Sequence, residues 1–319
     1  MNKSLLSILL FLFSLKTFYG QKKEDYKPYT IENTFKKLKK DYPLISAITP
    51  LASDSIIYFQ DITYKKTKSS KLKLDIYQPK SSNKKDTYPA ILLIHGGGWL
   101  VGSKENQRVM GQNLALHGYV GIPVSYRLGF EATYPAAVND LKDAIIWIKK
   151  HAKKYRINPN KIVILGASAG AHLATLVGVT PNSSLYSTNS KISNEVQAIV
   201  NIDGVVSLIH PEAAAESKPG KTSMAGIWLN GEKDENLKLW KEASPLEYVG
   251  LNTPPMLFIN SSHARFHTGR DDMLDILNHY NIYNQTHTLP NSPHSFWLVN
   301  PWFETTLNHT VNFLKNVFK

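Results

Sequence analysis

The 319-residue sequence contains no cysteine. That absence excludes a disulfide scaffold, a thiolate nucleophile and a lipid-modified N-terminal cysteine. Acidic residues are also scarce beside basic ones, 25 against 37, which leaves a formal net charge of +12. The lysines fall in scattered pairs, Lys36-Lys37, Lys39-Lys40, Lys65-Lys66 and Lys149-Lys150, with no interleaved aromatic motif. They read as solvated faces and loops, so nucleic acid is not expected as a partner, and an anionic polysaccharide is a secondary expectation. Long apolar runs are confined to the first residues. Residues 5–15 form one behind the basic start Met1-Asn2-Lys3. It has the length of a signal-peptide core and is short for a bilayer span.

Residues 1–20 are therefore expected to be a signal peptide, cut near Gly20 and Gln21, with no membrane span afterwards. Loss of Lys3 and Lys16 would lower the net charge to +10. The body is expected to be secreted or periplasmic, where a large core makes disulfides unnecessary. Residues 21–55 form a polar, lysine-rich N-terminal extension with one short helix over 31–40, and residues 56–319 the main domain.

From residue 56 the rhythm changes. Residues 56–64 and 71–77 alternate apolar and polar side chains, the pattern of two antiparallel strands. Residues 90–94, AILLI, are a continuous apolar run expected of a strand buried on both faces. Helices are expected over 106–117, 138–155, from 169, 271–280 and 302–317, and strands over 119–125, 161–165, 198–202, 256–260 and 286–289. Strands alternating with helices, without repeat or linker, predict one α/β domain with a mainly parallel, doubly wound sheet. Residues 205–250 break the alternation and read as an insertion or cap over one end of the sheet.

Two glycine-rich stretches carry the chemistry. Gly166-Ala167-Ser168-Ala169-Gly170 is G-x-S-x-G, set between a buried strand and a helix. That context is the one in which the motif forms a nucleophile elbow presenting the Ser168 hydroxyl. The second stretch, His95-Gly96-Gly97-Gly98-Trp99, follows the strand over 90–94. In serine hydrolases an HGGG-type loop and the residue after the nucleophile supply the oxyanion hole, here the Gly97, Gly98 and Ala169 N–H groups. His95 is expected to hold that loop and not to act as the base.

The HGGGW and GASAG motifs on this strand pattern resemble the α/β-hydrolase superfamily, on its esterase/lipase side, over about residues 56–319. Residues 258–273, FINSSHARFHTGRDDM, and 293–303, PHSFWLVNPWF, are similar to secreted bacterial carbohydrate esterases such as acetyl xylan esterases. The resemblance implies a chain order of serine, acid, histidine, with the histidine after the last strand. His294 then becomes the expected base, ahead of His172, His287 and His309.

The usual acid position of that family, just beyond the strand at 256–260, holds Ser261-Ser262-His263-Ala264 and no carboxylate. Two replacements stay open. Asp203 ends the preceding strand, and Asp271 lies further along the loop, with Asp272 and Glu212 behind them. Asp203 could alternatively make a turn and Asp271 cap a helix. Arg265 and Arg270 could bind substrate or lock the loop through Asp271 and Asp272. The spacing of His263, His267 and Asp271 could hold a metal only if the two histidines shared a helix face, and no metal or cofactor is expected. Trp99 and Trp297, with Trp228 and Trp302, are candidates for lining a cleft that stacks sugar rings. The expected activity is hydrolysis of carboxylic esters on a small ester or a plant polysaccharide such as xylan or pectin. An exopeptidase or lipase, or a non-catalytic binding protein on the same fold, are the alternatives.

Overall fold

The computed structural model describes residues 22–83, 85–186, 190–213 and 221–319, so the expected signal peptide lies outside the described residues. The chain opens with α1 (Ile31–Leu38), whose first turn is capped by the Thr30 hydroxyl accepting the Asn33 N–H at 3.1 Å. A two-residue strand, β1 (Ser46–Ala47), follows. The alternating stretches then form the antiparallel pair β2 (Ile56–Lys66) and β3 (Lys71–Pro79). Beyond them come β4 (Tyr88–Ile94), α2 (Arg108–Leu116), β5 (Val120–Val124), α3 (Ala136–Lys150), β6 (Ile157–Ala167), α4 (Ala169–Val179) and β7 (Ala198–Ile202). The irregular stretch carries α5 (Met224–Leu229) and α6 (Leu237–Glu242). The remainder is β8 (Met256–Asn260), α7 (Arg270–His279), β9 (Asn284–Thr288), β10 (Val299–Asn300) and α8 (Trp302–Val317).

Eight strands make one sheet in the order β2-β3-β5-β4-β6-β7-β8-β9. The first three are joined antiparallel and every later pairing is parallel. This is the α/β architecture that the strand–helix alternation implies. Successive residues of β4 face opposite cores. Ala90, Leu92 and Ile94 pack with α3 and α4, whereas Ile91 and Leu93 pack with α2 and α8. An unbroken apolar run is what two covered faces require, and each such Leu or Ile contributes ~1.5–3 kcal/mol by burial.

Two boundaries differ from expectation for local reasons. The helix expected to reach residue 155 ends at Lys150, and Ala152 and Tyr155 are buried from a turn instead. Residues 157–160 begin β6 early, because Ile157 pairs with Tyr88. The extension is also more than one helix on a polar tail. Its β1 pairs antiparallel with β10, joining Ser46 to Asn300 and Ala47 to Val299. Among the described residues no helix is long and apolar enough to cross a membrane.

Candidate active site

The parallel strands β6, β7 and β8 end side by side, and their C-terminal ends assemble the site. Ser168 sits between β6 and α4 with φ 56° and ψ −127°, a conformation that costs a non-glycine residue ~1–3 kcal/mol. Its N–H donates to the Ile202 carbonyl at 2.9 Å, tying the turn to β7. The turn fits because α4 passes close to β4. A Cβ on Gly170 would stand 2.4 Å from the carbonyl oxygens of Ile94 and His95. The eleven-residue α4 also directs the positive end of its dipole at the Ser168 hydroxyl.

That hydroxyl lies 2.9 Å from His294 Nε2, and His294 Nδ1 lies 2.7 Å from Asp203 Oδ2. The buried Asp203 carboxylate can only accept, so the imidazole proton is on Nδ1 and Nε2 is free to receive one from Ser168. The second Asp203 oxygen accepts the Ser261 N–H at 2.9 Å. Burial holds the His294 pKa below its ordinary value, with Asp203 opposing and Arg265 and His263 assisting the depression. The imidazole is therefore neutral at pH 7, as proton acceptance needs. Such a chain of contacts can remove the proton from a hydroxyl as it attacks a carbonyl carbon.

The oxyanion loop faces the same point. Gly97 and Gly98 have φ 119° and 57°. A Cβ on Gly97 would come 2.1 Å from the Val101 carbonyl oxygen, so no other residue fits without moving the loop. Among the described residues, the N–H groups of Gly97, Gly98 and Ala169 donate to no backbone carbonyl in a turn or loop. His95 is fully buried and donates from Nδ1 to the Gly96 carbonyl at 2.8 Å. Its ring stacks on Tyr126, whose hydroxyl donates to the His95 carbonyl at 2.9 Å. Burial pushes its pKa down to about 4, so it is an uncharged brace.

The structure separates the two acid candidates. Asp203 meets His294. Asp271, the other candidate, does not reach it: its carboxylate is exposed and held by Arg270, with Nε at 2.8 Å and Nη2 at 2.7 Å. Helix α7 begins at Arg270, so Asp271 is already inside it and caps nothing. Asp272 approaches His210 at 3.3 Å, and Glu212 lies 3.9 Å from the other nitrogen of that ring. His263 and His267 flank a 3-10 turn, Ala264–Phe266, and do not share an α-helical face.

Contrary to expectation, Trp99, Trp228 and Trp297 line no cleft and are buried. Trp99 is buried in a stack on Trp228, with centroids 5.2 Å apart, and its indole N–H donates to His172 Nδ1 at 3.2 Å. His172 in turn donates from Nε2 to the Ala243 carbonyl at 2.8 Å, which fastens the 205–250 segment to α4. Trp228 is fully buried in that cluster. Trp297 is 3% exposed and meets the His294 ring edge-on at 5.1 Å. Trp302 packs edge-on against Tyr42. None of Trp99, Trp228 and Trp297 offers a face to a sugar ring, because core packing takes their faces.

One contact had no signal in the sequence. Phe266 stacks face to face on His294 with centroids 3.5 Å apart, and the Arg265 guanidinium lies 4.4 Å from the Phe266 centroid. The loop that lacks the acid therefore supplies an aromatic wall for the imidazole. Only the fold could reveal it, since 28 positions separate the two rings in sequence.

A strand–turn–helix serine, a glycine-lined donor loop and a histidine returning after the last parallel strand define an α/β-hydrolase of the esterase/lipase kind. The chain belongs to the BD-FAE family, whose profile matches residues 74–266. It is 28% identical over 203 residues to the probable carboxylic ester hydrolase LipM of Mycobacterium tuberculosis, covering 63% of this chain and 45% of that protein. To esterase LipC of the same organism it is 28% identical over 192 residues, 59% of this chain and 47% of that one. The chain thus spans about half the length of these relatives. Among solved structures it is similar to a truncated carbohydrate esterase from gut microbiota, with TM-score 0.69 and 22% identity over 84% of this chain and 99% of that one. Esterase 2 of Thermogutta terrifontis gives TM-score 0.68 and 24% identity, over 85% and 98%. At these identities the two structures establish a shared fold.

Proposed function

We propose that this protein is a serine-dependent carboxylic ester hydrolase, exported by its N-terminal segment, whose substrates are esters on a plant polysaccharide, acetyl esters foremost. The observation that carries the proposal is the continuous hydrogen-bonded line from the Ser168 hydroxyl through His294 to Asp203. Ester hydrolysis is also the activity for which the two mycobacterial relatives are named. The apolar run over residues 5–15 supports export. The choice of a polysaccharide rests on the resemblance of residues 258–273 and 293–303 to carbohydrate esterases and on the likeness in fold to a carbohydrate esterase.

The chemistry runs in two halves. Ser168 Oγ attacks the ester carbonyl carbon while His294 Nε2 takes its proton. Negative charge gathers on the carbonyl oxygen, which the Gly97, Gly98 and Ala169 N–H groups receive; one such donor is worth ~3–4 kcal/mol in the transition state. The intermediate collapses, the carbon–oxygen bond to the alcohol breaks, and His294 returns the proton to the departing oxygen. Water then attacks the acyl-serine, again giving its proton to His294, and the acid leaves with Ser168 restored. The Asp203 carboxylate stabilises the imidazolium formed in each half.

The test is product release from acetylated xylan, methyl-esterified pectin and feruloylated arabinoxylan, with acetate, methanol and ferulate quantified together. Release of acetate that Ser168→Ala abolishes is the expected result. Release of ferulate or methanol in its place would correct the acyl group or the bond. No release from any polymer or from 4-nitrophenyl acetate would overturn the esterase reading.

A further inference from the structure

We infer that residues 22–55 belong to the catalytic apparatus, as a strap holding the His294 loop against the oxyanion loop, with Tyr29 as its positioning residue. The inference rests on the ester-hydrolase reading above. The Tyr29 hydroxyl lies 3.2 Å from Ser295 Oγ, across 266 positions of sequence. Ser295 directly follows His294 and has φ 73°, a left-handed conformation disfavoured for serine. A partner that fixes the Ser295 side chain therefore fixes where the chain leaves His294. Tyr29 is half-buried, and burial raises its pKa well above the ordinary range, so the hydroxyl keeps its proton at any working pH and can serve the contact with Ser295.

The same residue reaches the other half of the site. The Tyr29 carbonyl accepts from Asn106 Nδ2 at 2.9 Å, and Asn106 lies in the 3-10 turn (Lys104–Gln107) that follows the oxyanion loop. Further along, β1 pairs with β10 just beyond the His294 loop, and Leu38, Ile45 and Val299 share a small core with Tyr42 and Trp302. The strap thus holds the chain at Ser295 and again at β10 just beyond the base loop, and it holds the turn that follows the oxyanion loop through Asn106. A surface tail docked only for stability would need neither polar contact beside the site.

The experiment uses the full chain carrying Tyr29→Phe, Ser295→Ala or both. It measures kcat and KM on 4-nitrophenyl acetate per active site, the sites being counted by stoichiometric organophosphate labelling of Ser168. Each single variant is expected to lower kcat ~3–10-fold, the worth of one hydrogen bond, with KM unchanged. The double variant is expected to fall no further than Tyr29→Phe alone, which already removes the contact with Ser295 together with the one to Trp297. Wild-type kcat per labelled site in Tyr29→Phe would overturn the strap, even if fewer sites were labelled, since the contact would then serve folding alone. Losses that multiply in the double variant would overturn it too. A wild-type chain that turns over no ester would remove the underlying reading, a result separate from an active wild type insensitive to Tyr29.

Discussion

Replacing Asp203 by Asn changes one atom and should reverse the polarity of the whole line. Asp203 uses both oxygens: Oδ1 accepts the Ser261 N–H at 2.9 Å and Oδ2 accepts His294 Nδ1–H at 2.7 Å. An asparagine there has one acceptor and one amide donor. The buried Ser261 N–H requires the acceptor, which turns the NH2 group toward His294. Nδ1 must then accept, the ring proton moves to Nε2, and Nε2 can no longer take the Ser168 proton. The imidazolium also loses its counter-charge. In other serine hydrolases this change lowers kcat by ~10⁴, which corresponds to ~5.5 kcal/mol of transition-state stabilisation. Steady-state hydrolysis of 4-nitrophenyl acetate at pH 7 measures it. Asp271→Asn is the control, expected to stay within about twofold because that carboxylate is exposed and pairs only with its neighbour Arg270 among the described residues. A loss below about tenfold in Asp203→Asn, or a larger loss in Asp271→Asn, would refute the tautomer argument.

Three further outcomes can be measured. Gly97→Ala places a methyl group 2.1 Å from the Val101 carbonyl oxygen at φ 119°, so the loop must shift and kcat should fall ~10²–10³-fold with the fold retained by circular dichroism. The free-enzyme profile of kcat/KM should lose activity on acidification with a midpoint below 6.5. The imidazole must be neutral to act, and burial holds its pKa below that ordinary value, so protonation begins only at lower pH. Stability should rise between pH 7 and 9 in a way that Lys142→Met removes. Lys142 is fully buried, donating to the Thr180 carbonyl and to Asn194 Oδ1, and burial pushes its pKa down to about 7. The unfolded chain then binds a proton in that window that the folded chain does not, so raising the pH favours folding. Thermal melts of both proteins at the two pH values check the slope.

What the sequence disclosed follows how locally each feature is encoded. The Ser168 turn and the glycine loop are each written in five consecutive residues, beside strands whose apolar runs reveal their burial. The alternation of β4 between two cores was equally readable, since only a strand covered on both faces carries AILLI. The choice between Asp203 and Asp271 was not. Both precede His294 in a suitable order, and only the register of β7 against β8 brings Asp203 beside the Ser261 N–H and the imidazole. The tryptophans misled for a related reason. An aromatic residue near a motif can face a cleft or a core, and the stack of Trp99 on Trp228 joins residues 129 positions apart. Tyr29 was silent because its partners, Asn106 and Ser295, lie in different segments of the domain.

In the proposed mechanism Ser168 carries the acyl group between the two halves of the reaction. Rapid quenching of the protein with 4-nitrophenyl acetate, followed by peptide mass mapping, tests it directly. One acetyl group is expected on the peptide containing Ser168, appearing before steady turnover and absent from Ser168→Ala. An acetyl group on another residue, or ester turnover retained by Ser168→Ala, would contradict it.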